Sequence, residues 1–256
     1  TPVDENDEVD LSVITAALKK SLPNLSNDVL VVMTSQVPVG TARQISELIQ
    51  SGRPDLNFEY VYLPENLRLG DAVKCFFEPG RIVIGAKSDT AFDHITAIFK
   101  NIPGEVLKMS PASAEMAKHA TNAFLATSIS FINDISDACE KVGADVLDVT
   151  RALRSEPRIG PKAFLDAGLG FSGGTLGRDL KVLMSISKNE KIEPFILDDV
   201  YNKNLARKDF VISRLKGELG DLKNKTLTLL GLTYKPGTPT LRRSRALEIA
   251  ALLTAA

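Results

Sequence analysis

The sequence predicts an α/β protein in which a partial parallel sheet comes first, an all-α region with one long helix follows, and a second α/β domain begins near the end. Three observations support this order. Short apolar runs of strand length alternate with helical segments up to about residue 110. From Ser113 onward, apolar and small residues recur every three or four positions, which is the helical period. Another apolar run of strand length begins at Thr226.

The first part of the chain alternates between strands and helices. Val29–Met33 is a continuous apolar run, typical of a strand that is buried on both faces. Because strands that alternate with helices form βαβ units, we expect a parallel sheet with right-handed connections and helices on both faces. The expected elements are a helix at 11–21, strands at 29–33, 58–63, 81–85 and 105–109, and further helices at 42–49 and 89–99.

The middle of the chain is expected to be helical throughout. One helix of about 30 residues, from Ser113 to Gly143, would be about 45 Å long. This length exceeds the core of one domain, so the helix is expected to link two domains or to form a dimer contact. The elements expected after it are helices at 146–153, 180–187 and 196–216, with Gly217 as a helix end, then a buried strand at 226–232 and a last helix from about Ser244.

The composition is that of an ordinary globular protein, with 44% hydrophobic residues, 25% charged residues and a net charge of −1. This charge gives no electrostatic basis for binding nucleic acid or an anionic membrane. No apolar run approaches the roughly 18 residues of a membrane span. Cys75 and Cys139 form neither a metal motif nor a disulfide framework, so we expect a cytoplasmic protein without a metal site. The start at Thr1 and the Ala-rich end suggest an excerpt of a longer protein.

A glycine-rich stretch at 168–179, called the glycine loop below, is a candidate site. It holds five glycines in twelve residues and opens onto the helix expected from Leu180. Such a loop presents backbone N–H groups at a helix N-terminus, where a phosphate or a developing negative charge is favoured. Residues 168–173 also spell G-x-G-x-x-G, but no strand is expected before them, which argues against a dinucleotide fingerprint. A tight structural loop and a site for another ligand both stay open.

Two polar residues of the long helix, and one acid at the start of the next helix, are candidates for chemistry. Lys118 and Asn122 are four residues apart on the long helix and therefore share one face. Together they can hold an alkoxide or a bridging water, although a solvated helix surface has the same pattern. Asp179 is expected as an N-cap or first-turn acid of the next helix, which is favourable in its own right.

Several motifs follow one another along nearly the whole chain at compatible spacing, and together they are more specific than any single motif. They lie at 1–5, 35–40, 64–70, 81–85, 114–126, 129–133, 158–162, 168–179 and 231–236. This series resembles the nucleotide-sugar dehydrogenase family, the group of UDP-glucose and GDP-mannose dehydrogenases.

The resemblance implies a domain order and an activity. It implies the last part of a Rossmann-like NAD-binding domain at 1–110, a central helical dimerisation and substrate domain at 111–217, and the start of a UDP-sugar-binding Rossmann-like domain at 218–256. Family members are commonly homodimers through the long central helix. The family reaction oxidises the sugar C6 alcohol to a carboxylate with NAD, as in UDP-glucose to UDP-glucuronate. A Cys thiolate traps the intermediate aldehyde, and water cleaves the resulting thioester.

The resemblance also implies roles for individual residues, and it implies no metal. Those implied for catalysis are Lys118, Asn122, Asp179, Glu65 and, at the position of the family's Cys, Thr175. Those implied for the nucleotide sugar are Arg68, Arg158, Phe171, Gly173 and Lys235, with Arg158 reaching the neighbouring subunit. Those implied for NAD are Gln36 and Arg242. For each of Arg158 and Arg242, an ordinary surface position is the alternative.

Several positions depart from the family pattern. Thr175 is a poor nucleophile without a dedicated base, whereas the family's thiol readily gives a thiolate. Gln36, Leu69 and Arg178 replace the usual Thr, Glu and Lys. Three hypotheses therefore stay open. They are a dehydrogenase with an altered second step, a catalytically impaired paralogue that binds nucleotide sugars, and another dehydrogenase of similar build that uses Lys and Asn on its long helix.

Overall fold

A computed structural model describes residues 9–255 of the chain. These residues form two compact units that divide between Ala120 and Thr121. The motif at 1–5 lies outside the described residues. The first unit has a hydrophobic core on each face of its sheet, the second unit has one core, and one long helix contributes residues to a core of each unit.

The first unit alternates strands and helices, as the sequence predicts. The strands expected at 29–33, 81–85 and 105–109 are confirmed, and the second strand ends one residue earlier than expected. A short helix at Ala72–Phe77 and a 3₁₀ turn at Leu22–Asn24 were not predicted. The elements are α1 (Ser12–Ser21), β1 (Val29–Met33), α2 (Thr41–Gly52), β2 (Phe58–Tyr62), α3 (Ala72–Phe77), β3 (Arg81–Gly85), α4 (Asp89–Ile98) and β4 (Glu105–Met109).

The four strands lie in the order β1-β2-β3-β4, and the sheet is mostly parallel. β1 pairs with β2 in parallel over five residues, and β3 pairs with β4 in the same way. β2 and β3 pair in the antiparallel sense, and only at Tyr62 and Gly85. The expectation of a fully parallel sheet was therefore wrong at the junction between β2 and β3. The connection that contains α3 therefore differs from the right-handed crossover of a βαβ unit, which joins parallel strands.

Helices cover both faces of this sheet. Along β2, Tyr60 and Tyr62 face the core that α2 closes, while Val61 between them faces the core that α4 closes. This alternation follows from the two-residue period of a strand. Ile49 of α2 and Ile95 of α4 are almost fully buried in the two cores. Strand β2 is therefore buried on both faces of the sheet.

Helix α5 (Pro111–Val142) has 32 residues and is the long helix that the sequence predicts. It ends just before Gly143, whose φ of +74° suits a helix terminus. Large apolar residues that recur at the helical period along α5 are exposed, however, with 72% of Phe124, 47% of Phe131 and 78% of Val142 accessible. The buried face carries smaller or polar side chains such as Ala126 and Asn133, because close contact with neighbouring helices requires small or hydrogen-bonded residues.

The second unit is helical and contains α6 (Val146–Ser155), α7 (Leu176–Glu190), α8 (Ile196–Leu219) and α9 (Arg245–Ala255). Its core joins residues of α5, α7 and α8 to one residue of the glycine loop. The fully or nearly buried core residues are Ala123, Ala126, Ile129, Phe171, Leu180, Leu183, Leu197 and Val200.

The start of α7 and the end of α8 differ from the sequence prediction, and one expected strand does not form. Helix α7 begins at Leu176 rather than Leu180, so the last residues of the glycine loop are helical. Helix α8 passes through Gly217 and ends with Gly220 at a φ of +73°. The strand expected at 226–232 is absent, and Leu230 is 92% exposed. A strand buried on both faces needs neighbouring strands, and the described residues of this unit contain none.

Candidate active site

In the first unit, the start of α5 holds the loop that follows β1. The fully buried carboxylate of Glu115 accepts the backbone N–H groups of Gly40 at 2.7 Å and Ala42 at 2.8 Å, at the N-terminus of α2. His119 Nε2 donates to the carbonyl of Val37 at 2.9 Å. Burial raises the pKa of Glu115, and the two N–H groups and His119 offset only part of that rise. The half-buried Gln36 therefore lies on a fixed loop.

The loop that follows β2 is held by Lys118. Its Nζ donates to the backbone carbonyl of Glu65 at 2.8 Å and to Asn66 Oδ1 at 3.2 Å. Glu65 and Arg68 are exposed on this loop. Because β1 and β2 are parallel, both loops leave the same edge of the sheet, which is the edge where open α/β sheets bind ligands. The structure thus brings Lys118, Glu65 and Gln36 to one edge.

In the second unit, Asn122 of α5 and Asp179 of α7 form a buried pair. The amide Nδ2 of Asn122 donates to the Asp179 carboxylate, which is fully buried. Asp179 lies in the first turn of α7, where the helix dipole favours a negative charge. Its backbone N–H donates to the carbonyl of Thr175 at 3.1 Å. Thr175 is the exposed N-cap residue of α7, and its side chain makes no capping hydrogen bond.

The glycine loop has a fixed backbone. Phe171 is buried, and both its N–H and its carbonyl are hydrogen-bonded to the side chain of Asn204. Gly173 has a φ of +78°, and its N–H donates to the carbonyl of Arg243 at 3.0 Å. A Cβ at Gly173 would lie 2.8 Å from the ring of Tyr234, so only glycine fits there. No strand precedes the loop, which agrees with the sequence argument against a dinucleotide fingerprint.

Three further predicted site residues lie on turns and loops of the second unit. Arg158 is exposed in the turn after α6, and its Nε contacts Glu156 at 2.8 Å. Lys235 lies in a tight turn whose carbonyl accepts the hydroxyl of Thr238 at 2.8 Å. Arg242 is exposed just before α9. Exposed ion pairs stabilise a fold only slightly, so Arg158 can exchange Glu156 for a phosphate.

Sequence reasoning missed a set of buried polar residues that hold the loops. The signal for them is a polar residue at a core-facing helical position, since such a residue must find a hydrogen-bond partner. Two pairs show this signal at helical spacing, since Glu115 and His119 are four residues apart on α5, and Asn204 and Arg207 are three residues apart on α8. The set is Glu115, His119, Asn133, Asn204, Arg207 and Arg245.

Residues 9–255 contain no group of three or more His, Cys, Asp or Glu side chains that could hold a metal ion. Over the same range, no helix has both the length and the apolar character needed to cross a bilayer. A cavity of about 300 Å³ lies between α6 and residues 165–167, and it is lined by none of the predicted site residues.

Comparison with known proteins gives concordant results. The family model described as the NAD binding domain of the UDP-glucose/GDP-mannose dehydrogenase family matches residues 1–103, and that family's central domain matches residues 112–206. UDP-glucose 6-dehydrogenase TuaD of Bacillus subtilis (strain 168) is 37% identical, with 99% of this chain and 55% of the relative covered. UDP-glucose 6-dehydrogenase of Rickettsia bellii (strain RML369-C) is 36% identical, with 97% of this chain and 58% of the relative covered.

Solved structures are similar over the whole chain. The structure of a UDP-glucose dehydrogenase from the hyperthermophilic archaeon Pyrobaculum islandicum matches with a TM-score of 0.93 and 32% identity, covering 100% of this chain and 60% of that one. A UDP-D-ManNAc dehydrogenase from Pyrococcus horikoshii shares the fold, with a TM-score of 0.86 at 23% identity, covering 100% of this chain and 61% of that one. The chain therefore spans between 55% and 61% of the lengths of these four proteins.

Proposed function

The chain belongs to the UDP-glucose/GDP-mannose dehydrogenase family, and we propose that the polypeptide containing it oxidises a nucleotide sugar at C6 with NAD, as in UDP-glucose to UDP-glucuronate. The observation that carries the proposal is the buried pair of Asn122 and Asp179. A carboxylate that an amide holds in one orientation is suited to accept a proton from an alcohol or a water. The relatives named UDP-glucose 6-dehydrogenases support UDP-glucose as the substrate.

The proposal gives Lys118 the task of stabilising negative charge on the sugar oxygen. The C6 hydroxyl loses its proton as the hydride leaves, and a fixed ammonium stabilises the developing alkoxide. The contacts of Lys118 with Glu65 and Asn66 restrict where its ammonium can lie. The exposed carboxylate of Glu65 is proposed to act in the second, hydrolytic half of the reaction.

NAD, when bound, supplies the hydride acceptor. Gln36 and Arg242 are the residues proposed to contact it. The loop that carries Gln36 leaves the ligand-binding edge of the sheet and is anchored by two buried side chains of α5, so it offers a fixed surface. The exposed guanidinium of Arg242 has the planar fork that suits a pyrophosphate.

The nucleotide sugar is proposed to contact the glycine loop and several basic residues. The residues proposed for this contact are Arg68, Arg158, Phe171, Gly173 and Lys235. The fixed backbone around Phe171 and Gly173 supports this assignment, because a rigid loop binds a ligand without first losing conformational freedom.

Thr175 bears on the second oxidation. Its hydroxyl is exposed, and a hydroxyl without a base forms no ready anion at neutral pH. Cys139 is buried and lies about 25 Å further along α5 than Asn122, at ~1.5 Å of rise per residue. We therefore propose that the second step is altered. The same observation favours the alternative function, a nucleotide-sugar-binding paralogue that does not oxidise its ligand.

The exposed apolar face of α5 supports a homodimer. Phe124, Phe131 and Val142 together present three large apolar side chains on one helix, and such a surface favours association. The proposed dimer joins the α5 helices of two copies. The proposed compartment is the cytoplasm, where NAD and nucleotide sugars are available.

The test is the number of NADH molecules formed per UDP-glucose consumed by the full-length polypeptide with its natural Thr175. We expect NADH to form. A ratio near two means that the second oxidation proceeds without a thiol, and a ratio near one means that the reaction stops at the aldehyde. Thr175→Cys should move a ratio near one towards two. Binding of UDP-glucose with no NADH formed would contradict the dehydrogenase proposal for this substrate and favour the binding paralogue.

A further inference from the structure

The glycine loop meets α8 at one buried amide. Asn204 Oδ1 accepts the backbone N–H of Phe171 at 2.8 Å, and Asn204 Nδ2 donates to the carbonyl of the same residue at 3.1 Å. The side chain of Asn204 is almost entirely buried, with 7% of the residue exposed. Two hydrogen bonds from one amide to both backbone groups of Phe171 fix the orientation of that peptide segment as a neighbouring strand would.

The residue before Phe171 is adapted to this amide. Gly170 has a φ of +82°, and a Cβ built on it would lie 2.3 Å from Asn204 Oδ1. Any other residue would either push the amide away or leave the left-handed conformation. The loop can therefore approach Asn204 this closely because position 170 is glycine.

A second buried side chain extends the contact to α9. Arg245, the first residue of α9, donates from one guanidinium nitrogen to the carbonyl of Phe171 at 3.1 Å and to the backbone carbonyl of Asn204 at 3.2 Å. Its other terminal nitrogen contacts Glu248 at 2.6 Å. The guanidinium thus ties the loop, α8 and α9 together at one point.

We infer that Asn204 is a positioning residue for the nucleotide-sugar site. It sets the orientation of Phe171, and through the short segment that follows it sets that of Gly173. The inference rests on the proposed function for the identity of the ligand. An apolar side chain of similar size could fill the same volume, but it would leave the backbone N–H of Phe171 buried without a partner and its carbonyl with Arg245 alone. The amide therefore specifies the loop conformation in addition to filling space.

The experiment compares Asn204→Ala with Asn202→Ala in the full-length polypeptide. Asn202 lies two residues away on α8, is exposed, and serves as the matched control. Amide hydrogen exchange of residues 170–173 is measured without ligand, and the Kd of UDP-glucose is measured by calorimetry. We expect faster exchange and about tenfold weaker UDP-glucose binding for Asn204→Ala, while the Kd of NAD changes by less than about twofold. Asn202→Ala should match the wild type in the exchange of residues 170–173, in the Kd of UDP-glucose and in the Kd of NAD.

A lower melting temperature for Asn204→Ala, with exchange in the loop and the Kd of UDP-glucose both unchanged, would overturn the inference. If Asn204→Ala does not fold, Gly170→Ala tests the same contact from the loop side, with Gly217→Ala on α8 as its control, since a Cβ at Gly217 meets no atom within 4 Å. Gly170→Ala should also speed exchange at 171–173, and unchanged exchange would count against the inference.

The two proposals can fail separately. Absence of UDP-glucose binding by the wild-type polypeptide would refute the proposed function for that substrate. The exchange measurement contains no ligand and still decides whether Asn204 holds the loop. Loss of UDP-glucose binding in Asn202→Ala as well would overturn the specific role of Asn204, because it would indicate a general effect of changes in α8.

Discussion

At the scale of single residues, the proposed role of Asp179 depends on the charge of its side chain more than on its shape. It is fully buried in the first turn of α7, where the helix dipole and the amide of Asn122 both stabilise its negative charge. Asparagine has nearly the same volume and can keep a hydrogen bond to Asn122. It cannot accept a proton at neutral pH. The substitution therefore separates the proposed acid/base role from packing.

Asp179→Asn in the full-length polypeptide should lower kcat for NADH formation by about 10²- to 10⁴-fold, the range of a lost general base. The Kd of UDP-glucose should change by less than about threefold, because the substituted side chain fills the same space. Steady-state kinetics and calorimetry measure the two quantities. Asp209→Asn, at an exposed position of α8, is the control and should leave both unchanged. A kcat within about threefold of the wild type would exclude Asp179 as the base.

Local spacing could predict some of the site but not its assembly. Lys118 and Asn122 share a helix because they are four residues apart. The contact between Asn122 and Asp179 joins residues 57 positions apart, and only the family resemblance indicated it. Asn204 was missed because its partner is 33 positions away and a single polar residue on a helix has no distinctive pattern. The catalytic and binding roles of the site residues stay predictions.

At the scale of elements, α5 and α8 are joined by a row of ion pairs. Asp137 contacts Arg207 and Lys203, and Glu140 contacts Arg214 at 2.7 Å. Arg207 is 6% exposed and also donates to the carbonyl of Gly168 at 2.8 Å, so this row supports the start of the glycine loop. Burial alone would raise the pKa of Asp137, but the hydrogen bonds from Arg207 and Lys203 outweigh it and hold the pKa below its ordinary value.

Asp137→Asn should lower the free energy of unfolding at pH 7 by about 1–3 kcal/mol. This is less than for a fully buried pair, because 31% of the Asp137 side chain is exposed. A lowered pKa means that the folded state favours the charged carboxylate. Its stabilisation is complete above the ordinary value of about 3.9 and is lost as the pH falls through the lowered value. The difference between the variant and the wild type should therefore shrink between about pH 5 and pH 2.

Denaturant unfolding at several pH values measures this difference. The control is Asp148→Asn, which removes an exposed partner of Arg151 and should cost less than about 0.5 kcal/mol at pH 7. A difference for Asp137→Asn that stays constant down to pH 2 would contradict the assigned role of the Asp137 charge.

Elements with strong local patterns could be predicted, and those that depend on neighbours could not. The apolar runs of β1, β3 and β4 and the length of α5 follow from period and composition. The apolar run at 226–232 has the same local character as β1, yet it forms no strand because a strand exists only where another strand pairs with it. Gly217 did not end α8, since one exposed glycine costs a helix only about 1 kcal/mol.

At the scale of the whole molecule, the exposed face of α5 predicts self-association. Phe124→Asp places a charge on that face at a side chain that is 72% exposed in the single chain. The wild-type full-length polypeptide should sediment as a dimer and Phe124→Asp as a monomer, because burying an unpaired carboxylate in an apolar interface is strongly unfavourable.

Ile98→Asp is the matched control for this prediction. Ile98 is 69% exposed on α4, in the other unit, and its substitution should leave the dimer intact. A wild type that sediments as a monomer, or a Phe124→Asp variant that stays dimeric, would refute an interface through α5.

The family and the mixed α/β architecture could be predicted from the whole sequence because many motifs occur in one order. Single motifs would have misled, since residues 168–173 spell a dinucleotide pattern without the strand that such a site requires. The exposed large apolar residues of α5 show what the helical period cannot predict. Helical periodicity predicts the helix, but two adjacent faces share the same period and only tertiary contacts decide which face is buried.

The hydrogen bonds that hold the glycine loop affect when the loop can fold during synthesis of the polypeptide. The hydrogen bonds that fix Phe171 join it to partners 33 and 74 residues later in the chain. A ribosome therefore makes the loop before it makes Asn204 and Arg245. Five glycines have little conformational preference of their own, so the nascent loop cannot adopt its final geometry early. The proposed nucleotide-sugar surface should therefore reach its final geometry only after α9 has been made.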